Sequence, residues 1–314
     1  MEKTQTETPT PESQKATVAD FLLMHGIVVL WGFTAILGAL CSIAPLDIVW
    51  WRTGMAVVAM WALFWRRLDW ANATRSLKMG LLYNGVFIAT HWYLFFLAAR
   101  VGNVSSCLAG LATGSLWTAL LEPLVEKRRM AMPELVSGMV VLLGLGIIFY
   151  EQADAAAGVL LGILSAAFAA LFSVFNKGFV RKSNAYIVST IGLTGAFLAS
   201  GLCMLGSYAF GLRPHLLPSM PMGNDWLWIA ILALLCTVFA FTATVNLLKR
   251  FSAFTANLAV NMEPIYGILL AYAFFGQAEA MTTGFYIGTG IIILAVLGHP
   301  LADWWRARQT IEVR

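Results

Sequence analysis

The sequence predicts an all-α integral membrane protein with ten transmembrane helices, laid out as two inverted five-helix repeats. Three observations carry this. Of the 314 residues 60% are hydrophobic and 11% charged, with a mean hydropathy of +0.77, a balance foreign to a water-soluble globule of this length. Ten apolar runs follow one another with mostly short connections, and about 20 such residues cross a hydrocarbon core of about 30 Å. The basic residues fall in alternate connections, which requires an even number of crossings. Helices are the expected form, because lipid offers no partner to an open backbone.

Residues 1–20, rich in Thr, Glu and Pro, read as a disordered cytoplasmic lead. Glu2, Glu7, Glu12 and Asp20 precede the first run where a cleaved signal sequence would be basic. That first run centres on Leu30 and carries Trp31 and Thr34 at helical spacing. The second centres on Ala56 and holds Arg52, expected toward the outer surface, snorkelling or paired with Asp47 as a structural group. The third spans Met79 to Ala99, around Ala89, with Asn84 and His91 seven residues apart on nearly one face. His91 is either a hydrogen-bonding group between helices or part of a polar path, binding substrate or relaying protons.

The fourth run, around Gly114, puts Ser106, Gly110, Thr113 and Trp117 on one stripe and ends at Glu122, which Lys127, Arg128 and Arg129 can neutralise. The fifth centres on Leu142 and the sixth on Ala167, with Ser165, Phe172 and Asn176 on a stripe. The seventh centres on Phe197 and leads into the proline-containing connection from Gly211 to Asp225. The eighth, around Cys236, carries Thr237, Phe241 and Thr244. The Ser and Thr hydroxyls of these stripes can equally bond their own preceding turn, and the aromatic rings can simply pack. Taken together, the stripes suggest a cavity with aromatic walls and scattered hydroxyls.

The ninth run has Glu263 at its middle, where an ionisable group costs roughly 2.5 to 3.5 kcal/mol even on insertion scales. Pro264 beside it removes one helical hydrogen bond, an irregularity tolerated only next to protein or water. Glu263 therefore reads as a substrate-binding or proton-exchanging group beside a helix break, the alternative being a protonated side chain that bridges two helices. Asn257 and Asn261 fall on the opposite face and are expected to bind another helix. The tenth run centres on Ile291, and residues 301–314 form a cytoplasmic tail.

Of the 20 Lys and Arg, 17 lie on one side: Lys3, Lys15, Arg66, Arg67, Arg75, Lys78, Lys127, Arg128, Arg129, Lys177, Arg181, Lys182, Lys249, Arg250, Arg306, Arg308 and Arg314. Only Arg100 and Arg213 face the other, so both termini are expected in the cytoplasm. Trp50, Trp51, Trp65, Trp70, Trp226, Trp228, Trp304 and Trp305 cluster at helix ends as an aromatic belt. Cys41, Cys107, Cys203 and Cys236 have no metal-ligand spacing and read as packing residues.

Ser105 to Arg129 and Thr255 to Gln277 share a pattern of small and polar residues leading into an aliphatic run, about 150 residues apart. Five helices per repeat force the second copy to be inserted upside down. The stretch Leu258-Ala259-Val260-Asn261-Met262-Glu263-Pro264-Ile265-Tyr266-Gly267-Ile268-Leu269-Leu270, with Phe275-Gly276-Gln277 after it, resembles the ninth helix of EamA-type ten-helix members of the drug/metabolite transporter superfamily. Ser115-Leu116-Trp117-Thr118-Ala119-Leu120-Leu121 is similar to the family's fourth helix, although Ser115 stands where many members have Pro. Gln277 and Lys127 likewise replace a common Gly-Glu-Arg-like ending.

The resemblance spans about Met24 to Pro300, which divides the chain into repeats at 21–150 and 151–300. It implies that helices 1 to 4 and 6 to 9 enclose a central path braced by helices 5 and 10. It also implies a carrier working by alternating access in a bacterial-type inner membrane, exporting a small metabolite, amino acid or amphipathic drug. Import or exchange is the alternative reading, and a non-transport assembly protein a further one. The implied partners are a small-molecule substrate, the lipid bilayer and protons as a coupling ion, for a monomer or homodimer. No H-E-x-x-H, G-x-S-x-G or P-loop appears, so neither an enzyme nor an ATP-driven pump is expected, and no metal, cofactor or nucleic acid is called for.

Overall fold

The computed structural model describes residues 17–127, 132–151, 153–247, 259–260, 262–295 and 298. The N-terminal lead to residue 16, the tail from 301, Asn257 and Asn261 lie outside the described residues. The described chain is helical throughout, with no strand among these residues. Seven helical spans are long and apolar enough to cross a membrane, and shorter apolar helices cover Gly138–Tyr150 and Thr283–Ala295.

The first helix, α1 (Val18–Leu40), starts at Thr17, whose hydroxyl accepts the Asp20 amide at 3.2 Å while the Asp20 carboxylate accepts the Thr17 amide at 2.9 Å. Next, α2 (Pro45–Phe64) opens on a proline, whose missing N–H costs nothing in a first turn. The long α3 (Arg75–Val101) follows, capped by Thr74. The fourth run, expected as one helix, is two pieces, α4 (Val104–Leu111) and α5 (Gly114–Glu126), hinged at Ala112 and Thr113. Then come α6 (Met132–Glu151), α7 (Ala156–Val180) and α8 (Ala185–Ala209). The eighth run is α9 (Asp225–Ala230), a nine-residue π-helical stretch Ile231–Phe239, and α10 (Ala240–Leu247). The last two are α11 (Glu263–Phe275) and α12 (Thr283–Ala295).

Helix ends are satisfied by residues far away in sequence. Glu279 accepts the Val104 and Ser105 amides at 2.9 and 2.8 Å, so the start of α4 is held from beyond α11. At the end of α1, Arg100 donates to the carbonyls of Cys41 and Ile43 at 2.9 and 3.1 Å.

The helices meet through small residues. A Cβ on Gly110 of α4 would lie 2.8 Å from Gly162 Cα of α7, and one on Gly32 of α1 would lie 2.9 Å from Gly267 N of α11. Such approaches let backbones gain dispersion contact where lipid supplies no hydrophobic drive between helices. In the interior α3 packs on α7 and α8, α2 on α8 and the π-helical stretch, and α4 on α7 and α11. The outside carries exposed Leu22, Val58, Leu63, Leu142, Leu202 and Leu269, as a lipid-facing surface does. Over one end, the 211–225 connection is tied down: Arg213 Nη2 donates to Asp47 Oδ1 at 2.6 Å and Trp51 Nε1 donates to the Ser219 carbonyl at 2.9 Å.

Candidate functional site

Arg52 is where the structure departs most from the sequence reading. Its side chain does not reach the surface, being 2% exposed, and it does not pair with Asp47, which Arg213 holds. It turns inward instead. The Nε donates to Thr237 Oγ1 at 2.9 Å, and the guanidinium carbon lies 4.0 Å from the centre of the Trp92 ring and 5.8 Å from that of Phe96. Nη1 has no hydrogen-bond partner among the described residues. Arg52 lies seven residues in from Pro45, about 10 Å along the helix, so its long side chain can reach the interior as readily as the surface.

Thr237 is fully buried in the π-helical stretch, and its hydroxyl donates to the Leu232 carbonyl at 2.8 Å, five residues back. With its proton committed, the oxygen presents a lone pair to Arg52. A π turn re-aims side chains relative to a regular helix, and such turns concentrate at functional sites.

His91 and Asn84 both face α7. The His91 Nδ1 lies 3.0 Å from the Ser165 carbonyl and 2.8 Å from its hydroxyl, which in turn lies 3.0 Å from the His91 carbonyl. A carbonyl only accepts, so Nδ1 carries the proton, and the Nε2 lone pair of a neutral ring is left without a hydrogen bond from the described residues. The ring stands 5.6 Å from that of Phe172. Asn84 Nδ2 donates to Asn176 Oδ1 at 2.9 Å, leaving its own Oδ1 unpaired in the interior. Asn84 thus ties α3 to α7, while His91 is held there with its second nitrogen free of hydrogen bonds from the described residues.

Glu263 is the first residue of α11 and Pro264 lies in that helix's first turn. The proline therefore starts this helix rather than interrupting it. The turn before it is tight: the Met262 amide bonds the Ala259 carbonyl at 3.0 Å, and the Tyr266 amide bonds that of Met262 at 3.1 Å. The hinge between α4 and α5 has the same pattern, Thr113 to Gly110 at 3.1 Å and Trp117 to Thr113 at 3.2 Å. Gly114 and Glu263 thus each open a helix just after a tight turn of the same kind. Glu263 and Arg52 interact electrostatically without forming an ion pair, and His91 also feels the Arg52 charge.

The remaining expected residues divide. Phe241 stacks edge-on against Trp92 at 6.2 Å, which places it and Phe172 near the charged centre. Trp31 donates to the Cys236 carbonyl at 3.2 Å, joining α1 to the π-helical stretch. Thr113 is buried with its hydroxyl on the Gly110 carbonyl at 2.8 Å, a hinge group. Trp117 keeps a buried Nε1 without a partner among the described residues. Glu122 is paired with Lys177 of α7, while Arg128 and Arg129 of its own basic cluster lie outside the described residues. Among the described residues no three of His, Cys, Asp and Glu converge as a metal site.

The model of the EamA-like transporter family matches this chain twice, over residues 20–150 and 156–299. The chain belongs to the EamA-like transporter family. A relative from Haemophilus influenzae, described as an uncharacterized transporter, is 21% identical over 280 residues, covering 81% of this chain and 86% of its own. A solved crystal structure superposes with a TM-score of 0.60 at 15% identity, covering 90% of this chain and 98% of the other, which is a likeness of fold. As an EamA-like protein the chain is a multi-pass membrane transporter for a small molecule. The Arg52–Thr237 bond joins the first family match to the second.

Proposed function

We propose that this protein is a secondary carrier that moves a small metabolite, amino acid or amphipathic organic molecule across a bacterial-type cytoplasmic membrane by alternating access, in the direction of export. The observation that carries the reading is the charged centre itself. Arg52 from the first family match bonds Thr237 from the second inside an apolar bundle, with His91 of the first and Glu263 of the second within electrostatic reach of Arg52. Ionisable groups held at such depth are retained for a task, and carriers place that task between their repeats.

Ten helices in two inverted repeats, 21–150 and 151–300, with both termini cytoplasmic, are the frame of this reading. A reciprocal contact between α6 and α12 supports the inversion. A Cβ on Gly144 would lie 2.7 Å from the Gly288 carbonyl, and one on Gly288 would lie 2.6 Å from the Gly144 carbonyl. Each carbonyl points toward its own helix C-terminus. Only oppositely directed helices let both glycines sit beside the other's carbonyl. The matching hinges before Gly114 and Glu263 support the same pairing of halves.

In the cycle proposed, the two halves rock about this seam. Glu263 exchanges charge with the substrate or a proton, and His91 offers Nε2 from its fixed ring. Proteoliposomes preloaded with unlabelled amino acids, organic acids or amphipathic amines should take up the labelled compound saturably for at least one of them. No movement across the panel would contradict a carrier.

A further inference from the structure

We propose that Arg52 is the anion-binding residue of the central site, so that the molecule carried bears a carboxylate on an apolar body. This deepens the carrier reading and rests on it. Three features of the guanidinium lead there. One edge is occupied, because Nε is bonded to Thr237, and one face is covered by Trp92. On the remaining edge Nη1 is buried with no hydrogen-bond partner among the described residues, in a residue only 2% exposed. That edge is the one whose two parallel N–H groups match a carboxylate.

Among the described residues the charge is also left without a partner in contact. Asp47, the acid on its own helix, is taken by Arg213. Glu263, facing it from α11, acts at a distance, and His91, facing it from α3, adds no negative charge. A buried charge with its counter-charge held away is costly unless something visits it. A cationic group would be repelled there, and a neutral one would leave the charge uncompensated. Trp92, Phe96, Phe172 and Phe241 around the site suit an apolar or aromatic body.

The test uses the full-length protein in proteoliposomes and matched probes: acetate, 3-phenylpropionate and phenylalanine, the amide of each, and 3-phenylpropylamine. Counterflow of at least one carboxylate is expected, with its amide and the amine inert. Arg52→Lys should weaken it about tenfold or more, since a lysine cannot offer the fork, and Arg52→Gln should abolish it. Thermal unfolding separates this from a structural role. Arg52→Gln should unfold no lower than wild type and lose the carboxylate-induced rise in Tm that wild type shows. Movement of amides or the amine without carboxylates would overturn the anion assignment while leaving a carrier. Wild-type carboxylate counterflow in Arg52→Gln, or a lowered Tm with affinity intact, would reduce Arg52 to a packing group. If no probe moves or shifts the Tm of wild type, the proposal fails, and only the wider panel described above then decides the carrier reading.

Discussion

Arg52 of α2 and Thr237 of the π-helical stretch are joined at 2.9 Å, with the Thr237 proton directed away to Leu232. The hydroxyl is therefore a fixed acceptor that sets the plane of the guanidinium against Trp92. Thr237→Val keeps the shape and removes that acceptor. Leaving a buried donor unpaired costs about 1–3 kcal/mol, so Tm should fall by several degrees, while Thr237→Ser should behave as wild type. A Val variant as stable and active as wild type would show that the bond positions nothing.

The tie between His91 and Ser165 uses Nδ1 alone. An asparagine places its amide nitrogen near Nδ1 and has nothing at Nε2, so His91→Asn should fold normally and transport poorly. His91→Ala should lose stability as well, because the Ser165 hydroxyl and carbonyl lose their partner. Full transport by the Asn variant would leave His91 as a link between α3 and α7 only.

Asp47 is 1% exposed and Arg213 only 13%, so this ion pair is mostly out of water. Removing one member of a buried pair costs roughly 3–5 kcal/mol, and the partly wet arginine puts this case at the low end. Arg213→Ala and Asp47→Asn should each speed hydrogen exchange in the 211–225 connection, because either removes the tie. Wild-type exchange in both variants would show that the pair does not hold the connection down.

The uneven division of basic residues predicts the 211–225 connection outside the cell and both termini inside. In a cysteine-free background, Met222→Cys should react with an impermeant thiol reagent added to intact cells, whereas a tag after Arg314 should need lysed cells. A tag exposed on intact cells would invert the topology.

The all-helical, membrane-spanning class was legible because it rests on length and hydropathy, which every stretch of about 20 residues reports independently. The pattern shared by Ser105 to Arg129 and Thr255 to Gln277 was legible as well, and a tight turn precedes both Gly114 and Glu263 within these stretches. Side-chain direction was not. A helix that is apolar all round gives no periodic signal for its inner face, so Arg52 was placed by depth alone and assigned to Asp47. The π-helical stretch at Ile231–Phe239 has no composition signature distinct from an α-helix. Glu122 was assigned to the nearest basic cluster in sequence, and the pairing with Lys177 on another helix left no mark in the sequence.

The central claim is that substrate moves through the charged seam between the two halves, with Glu263 taking part. Counterflow through purified protein with Glu263→Leu, after matched folding by size-exclusion and thermal unfolding, tests it most directly. The account expects saturable counterflow by wild type and none by the Leu variant, with Glu263→Gln binding substrate but losing the pH dependence of net flux. Wild-type counterflow from folded Glu263→Leu would contradict it.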